Sequence, residues 1–246
     1  MLPDLSPLAW AWLALVVLAA SCLRGLTGFG SAAIMVAGGS LVVPPALLVA
    51  PVVLIETALA APMWGAIRGH VDWRRVGALF AGCLLGVPLG VRAMASLGED
   101  ASRALVAGLV LAGAALLAGG WRLARPAGLP SHAAVGLASG IANGAAVGGL
   151  PVAAFFAAQP IAPAAFRATL VAYFLLLDLW TLPLMARERL LDCSGASLAA
   201  LGFPLSVLGM RLGSRGFDRA SPEAFRRVAL GALIALAVLG LARALL

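Results

Sequence analysis

Two glycine-rich runs, Gly25-Leu26-Thr27-Gly28-Phe29-Gly30 and Gly136-Leu137-Ala138-Ser139-Gly140-Ile141-Ala142-Asn143-Gly144, decide the fold. Each belongs to a long stretch with no Asp, Glu, Arg or Lys, one between Gly25 and Ile55, the other between Pro126 and Phe166. A bilayer core about 30 Å thick takes about 20 helical residues, so each stretch is too long for one helix and must contain a turn or a break. Glycine lets a helix break there. The backbone N–H groups exposed by the break must then be satisfied by protein, water or a ligand. A helix that starts at the break turns its positive end towards whatever occupies it, which suits an anion. Close helix packing is the competing reading of the same glycines. Their pairing at equivalent places, with Pro44-Pro45 and Pro151 downstream, favours a binding site.

Composition puts both runs in a membrane. Of 246 residues, 63% are hydrophobic and only 11% charged, with a mean hydropathy of +1.05. Soluble domains carry roughly 25% charged residues, and disorder needs low hydrophobicity with high charge. The chain is read as an all-α polytopic membrane protein. Its 17 basic residues are all arginine and outnumber 10 acids, for a net charge of +7. A charge this basic in a soluble chain raises nucleic acid as a partner. Here the arginines are scattered between apolar segments, so orientation in the bilayer is the better explanation and no nucleic acid is expected. Cys22, Cys83 and Cys193 share no metal-like spacing, and His70 and His132 stand alone at expected loop positions. No metal and no cofactor are called for. Leu8–Leu23 lacks a preceding basic region and a good cleavage site, so it is read as the first span and not a secretory signal.

Further spans are expected at Pro45–Ile67, Val76–Met94, Ala104–Gly120, Ala164–Ala186, Ser194–Met210 and Arg226–Leu245. Features recur in order along the chain. The two glycine runs correspond, Pro62 answers Pro183, and Val71-Asp72 answers Leu191-Asp192. Leu89-Gly90-Val91-Arg92 answers Leu208-Gly209-Met210-Arg211, and the segment from Arg103 answers that from Arg226. The chain therefore reads as two homologous halves, 1–125 and 126–246, with a seam near Arg122–Ser131. If each half crosses four times, the arginines split 8 and 9 between the faces. If each crosses five times, Arg92, Arg103, Arg187, Arg189 and Arg243 share one face and the other twelve lie opposite. Only five crossings obey the positive-inside rule. Five is odd, so the halves are expected to be inverted repeats with both termini outside and short spans near Gly28–Val43 and Val147–Gln159. Short, Gly/Pro-interrupted segments at matching places in inverted halves mark a transporter's binding site.

The charges that do not sort by face are the candidate machinery. Arg24 ends the first span before its break, and Arg167 lies about a turn inside the helix after the second. Guanidinium groups hold oxyanions bidentately, although arginines at helix ends also snorkel to headgroups. Glu56 and Asp178 are the acids deep in predicted spans, where a carboxylate is costly and is functional or paired. They are candidate proton carriers, or else partners in internal ion pairs with Arg24 and Arg167. Thr27, Gly28, Gly30, Ser139, Asn143, Gln159, Thr169 and Tyr173 complete the expected substrate-binding set. The polar ones also fit as caps or interhelical hydrogen bonds. Pro62, Pro88, Pro183 and Pro204 are expected to kink helices and bind nothing.

These residues resemble the TauE/SafE sulfite-exporter family of bacterial membrane proteins over nearly the whole chain. The resemblance is carried by Gly25–Gly30, Pro44-Pro45, Gly69-His70-Val71-Asp72-Trp73-Arg74, Gly82–Gly90 and Ser139–Gly149. It implies movement of small sulfur-containing or organic anions. Two departures stand out. Phe29 and Ser31 interrupt a run that often has three adjacent glycines, and Glu56-Thr57 stand where many members have small hydroxyl residues.

The expected function is secondary transport of a small anion (sulfite, an organosulfonate or a related organic anion) across the bacterial inner membrane, coupled to protons. No enzyme is expected, because no Walker loop, His-Glu-x-x-His or convergent Ser/His/Asp set occurs. The partners expected are the anion, the lipid bilayer and a second copy in a homodimer. Two alternatives remain open: a cation or metal transporter using Glu56 and Asp178, and a membrane scaffold without transport activity.

Overall fold

A computed structural model describes residues 4–27, 29–216 and 222–245, all of them in helices or short connections. The helices are α1 (Pro7–Thr27), α2 (Ser31–Gly39), α3 (Pro45–Ala60), the single turn α4 (Trp64–Ile67), α5 (Trp73–Ser96), α6 (Glu99–Ala118), α7 (Leu129–Asn143), α8 (Gly149–Ala157), α9 (Pro163–Arg187), α10 (Cys193–Gly216) and α11 (Pro222–Leu245). Six of the described helices are long and apolar enough to cross a bilayer. At nine residues, α2 and α8 each reach only about 13 Å. The expected single span Pro45–Ile67 is interrupted. After Ala60 the chain passes through a 3-10 turn containing Pro62, then α4, then a second 3-10 turn ending at His70. His132, expected in a loop, is instead buried in the first turns of α7.

Glycine spacing explains the closest helix pairs. Gly82, Gly86 and Gly90 recur every four residues along one face of α5, and Gly136, Gly140 and the capping Gly144 do so along α7 and its C-terminal end. A Cβ at Gly140 would lie 2.8 Å from the amide nitrogen of Val87 and 3.0 Å from the Cα of Cys83. The two backbones are therefore in direct contact, as small residues allow between membrane helices. Leu84, Leu85 and Leu89 on the opposite face of α5 are exposed and meet lipid. Helices α1 and α10 make the second such pair. There a Cβ at Gly209 would sit 2.6 Å from the Leu18 carbonyl and 2.8 Å from Ser21.

These contacts fix the directions of the chain. Low-numbered residues of α5 meet low-numbered residues of α7, and the same holds for α1 with α10, so both pairs are parallel. Asp72 and Thr169 join the starts of α5 and α9, while Arg92 and Glu188 pair near their ends. Pro51 and Ile55 on α3 face Gly195 and Gly202 on α10. The end of α3 and the following turns pack on the start of α9, through Ala60, Ile67, Ala168 and Val171. Thus α1, α3 and α10 run one way, and α5, α7 and α9 run the other. The starts of α5, α7 and α9 share one end of the bundle with Arg68, Arg74, Arg75, Arg122, Arg125 and Arg167. Arg92, Arg103, Arg187 and Arg189 lie at the opposite end.

The short helices fold back on the helices before them. Trp12 Nε1 donates to the Gly38 carbonyl at 2.8 Å, which returns the end of α2 to the first half of α1. Phe155 and Phe156 at the end of α8 stack edge-on against His132 near the start of α7.

Replacing Gly86 by Val should prevent the α5–α7 contact, because even a Cβ there would overlap the backbone of Leu137 and lie 3.0 Å from the Ile141 amide. Gly108→Ala on α6, which meets nothing within 4 Å, should stabilise by about 0.5–1 kcal/mol through helix propensity. Thermal unfolding of the purified variants in detergent tests both, and a Gly86→Val protein as stable as wild type would refute the packing account.

Candidate functional site

Arg24 lies in the last turn of α1, at the edge of the first break. Its Nη1 pairs with the Glu56 carboxylate on α3, and the two side chains are only 5% and 13% exposed. Glu56 Oε1 also accepts a hydrogen bond from Ser31 Oγ at 2.5 Å. Ser31 opens α2, so one carboxylate ties the end of α1 to the start of α2. Gly30 makes this turn possible. Its φ of 90° lies in the left-handed region that side-chain-bearing residues seldom adopt.

The second break is built from hydrogen bonds among uncharged side chains and one acid. Asn143, the last residue of α7, donates through Nδ2 to Asp178 Oδ1 at 3.2 Å and to Thr181 Oγ1 at 2.9 Å on α9. Ser139 Oγ donates to the Gly148 carbonyl at 2.7 Å, and Tyr173 OH donates to Ser139 Oγ at 2.9 Å. All of these side chains are buried. Between the helices the chain passes through Ala146 at φ 55°, a left-handed position occupied by a residue other than glycine.

The two breaks meet at one cavity. Arg24, Glu56, Asn143 and Asp178 supply its polar lining, and Phe29, Val53, Val147, Leu150, Phe174 and Leu177 supply apolar walls. The starts of both short helices border it, through Gly30, Ala32 and Ala33 on one side and Gly149 and Leu150 on the other. Two helix N-termini thus face a space that already holds a buried guanidinium, an arrangement that favours negative charge. The free space is about 40 Å³, room for a few water molecules at 10–15 Å³ each. The Glu56 carboxylate holds the Arg24 guanidinium at the edge of this space.

Of the expected site residues, Arg24, Gly30, Glu56, Asn143 and Asp178 come together at this cavity. Ser139 and Tyr173 brace the second break from behind. Thr27 ends α1, and Gly28 lies outside the described residues. Three expected residues sit elsewhere. Arg167 is exposed near the start of α9 and does not line the cavity. Thr169 Oγ1 accepts from the Asp72 amide at 3.0 Å, joining α9 to the cap of α5. Gln159 lies past the end of α8 and bonds the Ala127 amide and the Phe155 carbonyl, fastening the segment between α6 and α7. Of the two expected ion pairs, Arg24–Glu56 forms, whereas Asp178 is held by Asn143.

Two contributors escaped the sequence reading. Ser31 was legible in principle, as a hydroxyl residue at the start of an apolar run after glycine. Buried Arg103 on α6 donates through Nε to the Ser40 carbonyl at 2.9 Å, pinning the chain just after α2, and pairs with Glu99 and Asp100. Its only sequence signal was a place in the repeat.

A family profile described as sulfite exporter TauE/SafE matches residues 13–239. Over 219 residues the chain is 32% identical to a probable sulfite/organosulfonate exporter TauE of Cupriavidus necator, covering 85% of this chain and 84% of that protein. No solved structure matches the chain.

Ser139→Ala should cost about 1–3 kcal/mol, because it leaves the buried Gly148 carbonyl and Tyr173 hydroxyl without their partner. Tyr173→Phe, which removes only one donor, should cost about 1 kcal/mol. Unfolding midpoints equal to wild type for both would show that the bonds do not hold the second break.

Proposed function

Because the chain belongs to the sulfite exporter TauE/SafE family, we propose that it is a secondary transporter of a sulfur oxyanion or small organosulfonate. The observation that carries this reading is a buried arginine, neutralised by a carboxylate, at a cavity between two helix breaks. The relative's name specifies sulfite or organosulfonate, and a guanidinium flanked by helix N-termini is suited to either.

Proton coupling follows from counting charges. Arg24 faces two carboxylates across the cavity, so with both ionised the site has a net negative charge and repels an anion. Protonation of Glu56 releases Arg24 and lets an oxyanion take the carboxylate's place. Asp178, on the other side of the cavity, supplies a second protonation site, with Asn143 as its fixed partner. Anion and proton then move together or exchange, according to the direction of the gradients.

The arginine-rich end of the bundle is the cytoplasmic face by the positive-inside rule, in the bacterial inner membrane. Matched helices run in opposite directions (α1 and α7, α3 and α9, α5 and α10), and this supports reading 1–125 and 126–246 as inverted repeats. Rocking of one half against the other alternates access to the cavity.

Proteoliposome flux tests the reading. Arg24→Gln should abolish sulfite and sulfonate flux, whereas Glu56→Gln should leave residual flux with a weakened response to a pH gradient. A thermal-unfolding assay separates binding from folding. Glu56→Gln strands a buried guanidinium, at a cost of about 3–5 kcal/mol, and added sulfite or sulfonate should restore more stability to this variant than to wild type. Unchanged anion flux in Arg24→Gln would overturn the proposal.

A further inference from the structure

We infer that Phe29 and Phe166 form the gate between this cavity and the arginine-rich face; the inference rests on the cavity being the substrate site. Phe29 is an aromatic wall of the cavity on the side of the first break. It lies on the bend between α1 and α2, next to the left-handed Gly30, so its backbone belongs to neither helix. Its ring meets Phe166 edge-on, with centroids 6.5 Å apart and planes at 62°.

Phe166 lies in the first turn of α9, at the end of the bundle where the starts of α5 and α9 are joined. The exposed Arg167 follows it directly. Behind Phe166 stands a fixed aromatic backing. Phe156 is 6.3 Å away at 67°, fully buried at the end of α8, and itself packs perpendicular to His132 at 5.6 Å. One ring is thus anchored and its partner rides on a bend.

The pair also bridges the halves, since Phe29 belongs to the first break and Phe166 to the helix after the second. Rocking of one half against the other changes their separation directly. An anion cannot pass between two touching rings without losing its hydration, so contact closes the path. A single edge-to-face pair is weak enough to separate thermally. Arg167, at the outer side of Phe166, offers positive charge to an anion before it enters.

Solvent access to the cavity tests this without relying on transport. Cys22, Cys83 and Cys193 are replaced by Ala in the full-length protein, and a reporter Ala33→Cys is introduced on the cavity-lining face of α2. The protein is reconstituted in vesicles, and sidedness is fixed with Arg122→Cys in the linker. A membrane-impermeant thiol reagent is then applied to each face.

Phe29→Ala and Phe166→Ala should each raise the labelling rate at position 33 from the arginine-rich face by about two- to twelvefold, the population shift expected from losing one such contact. Labelling from the opposite face should stay constant, and Phe29→Leu should give an intermediate rate. Unchanged rates in both alanine variants, or equal increases from the two faces, would overturn the gate. If labelling rises as expected but the wild-type protein moves neither sulfite nor sulfonate, the gate stands and the transport reading falls. If wild type transports and labelling is unaffected, only the gate falls.

Discussion

A guanidinium buried inside a membrane bundle is the constraint on which the site depends. Leaving such a charge unpaired costs several kcal/mol, so Arg24 must have a partner in every state of the protein. In this structure the partner is Glu56, and that pairing organises its surroundings. The same carboxylate accepts from Ser31, so it fixes both the end of α1 and the start of α2. The two departures from the family pattern noted in the sequence converge here. Ser31 and Glu56 meet each other, and Phe29 walls the same cavity. A chain carrying an internal acid at this position needs no substrate to neutralise its arginine. In the transport mechanism we propose, substrate competes with Glu56 and protonation decides the competition.

The architecture supplies two breaks but furnishes them differently. The first is held by charge, with Arg24, Glu56 and Ser31. The second is held by hydrogen bonds through Asn143, Ser139 and Tyr173, with Asp178 as its acid. The glycine-lined pairs α5–α7 and α1–α10 flank these elements with close backbone contacts.

Much of this was legible in the sequence, because membrane burial makes polar residues conspicuous. Uncharged stretches too long for one helix implied the two breaks, and the structure places short helices there. Glu56 and Asp178 were visible as acids within apolar spans, and Arg24 as a charge beside a break. Direction along the helix was not legible. Helix α9 is apolar around most of its circumference, so no stripe shows which side faces the cavity. Arg167 and Thr169 were therefore placed by distance along the chain, whereas their orientation sends one to the surface and the other to Asp72. Gln159 failed for a related reason. Its partner, the Ala127 amide, lies 32 residues away in the linker, and nothing local signals that contact.

In the proposed mechanism an anion displaces Glu56 from Arg24 only as a proton arrives. Proton uptake during binding tests it most directly, using a pH-indicator dye in weakly buffered detergent solution as sulfite or a small sulfonate is titrated in. The account predicts uptake of about one proton per anion bound by wild type, and none by Glu56→Gln/Asp178→Asn. Saturable binding to wild type with no proton uptake would contradict it.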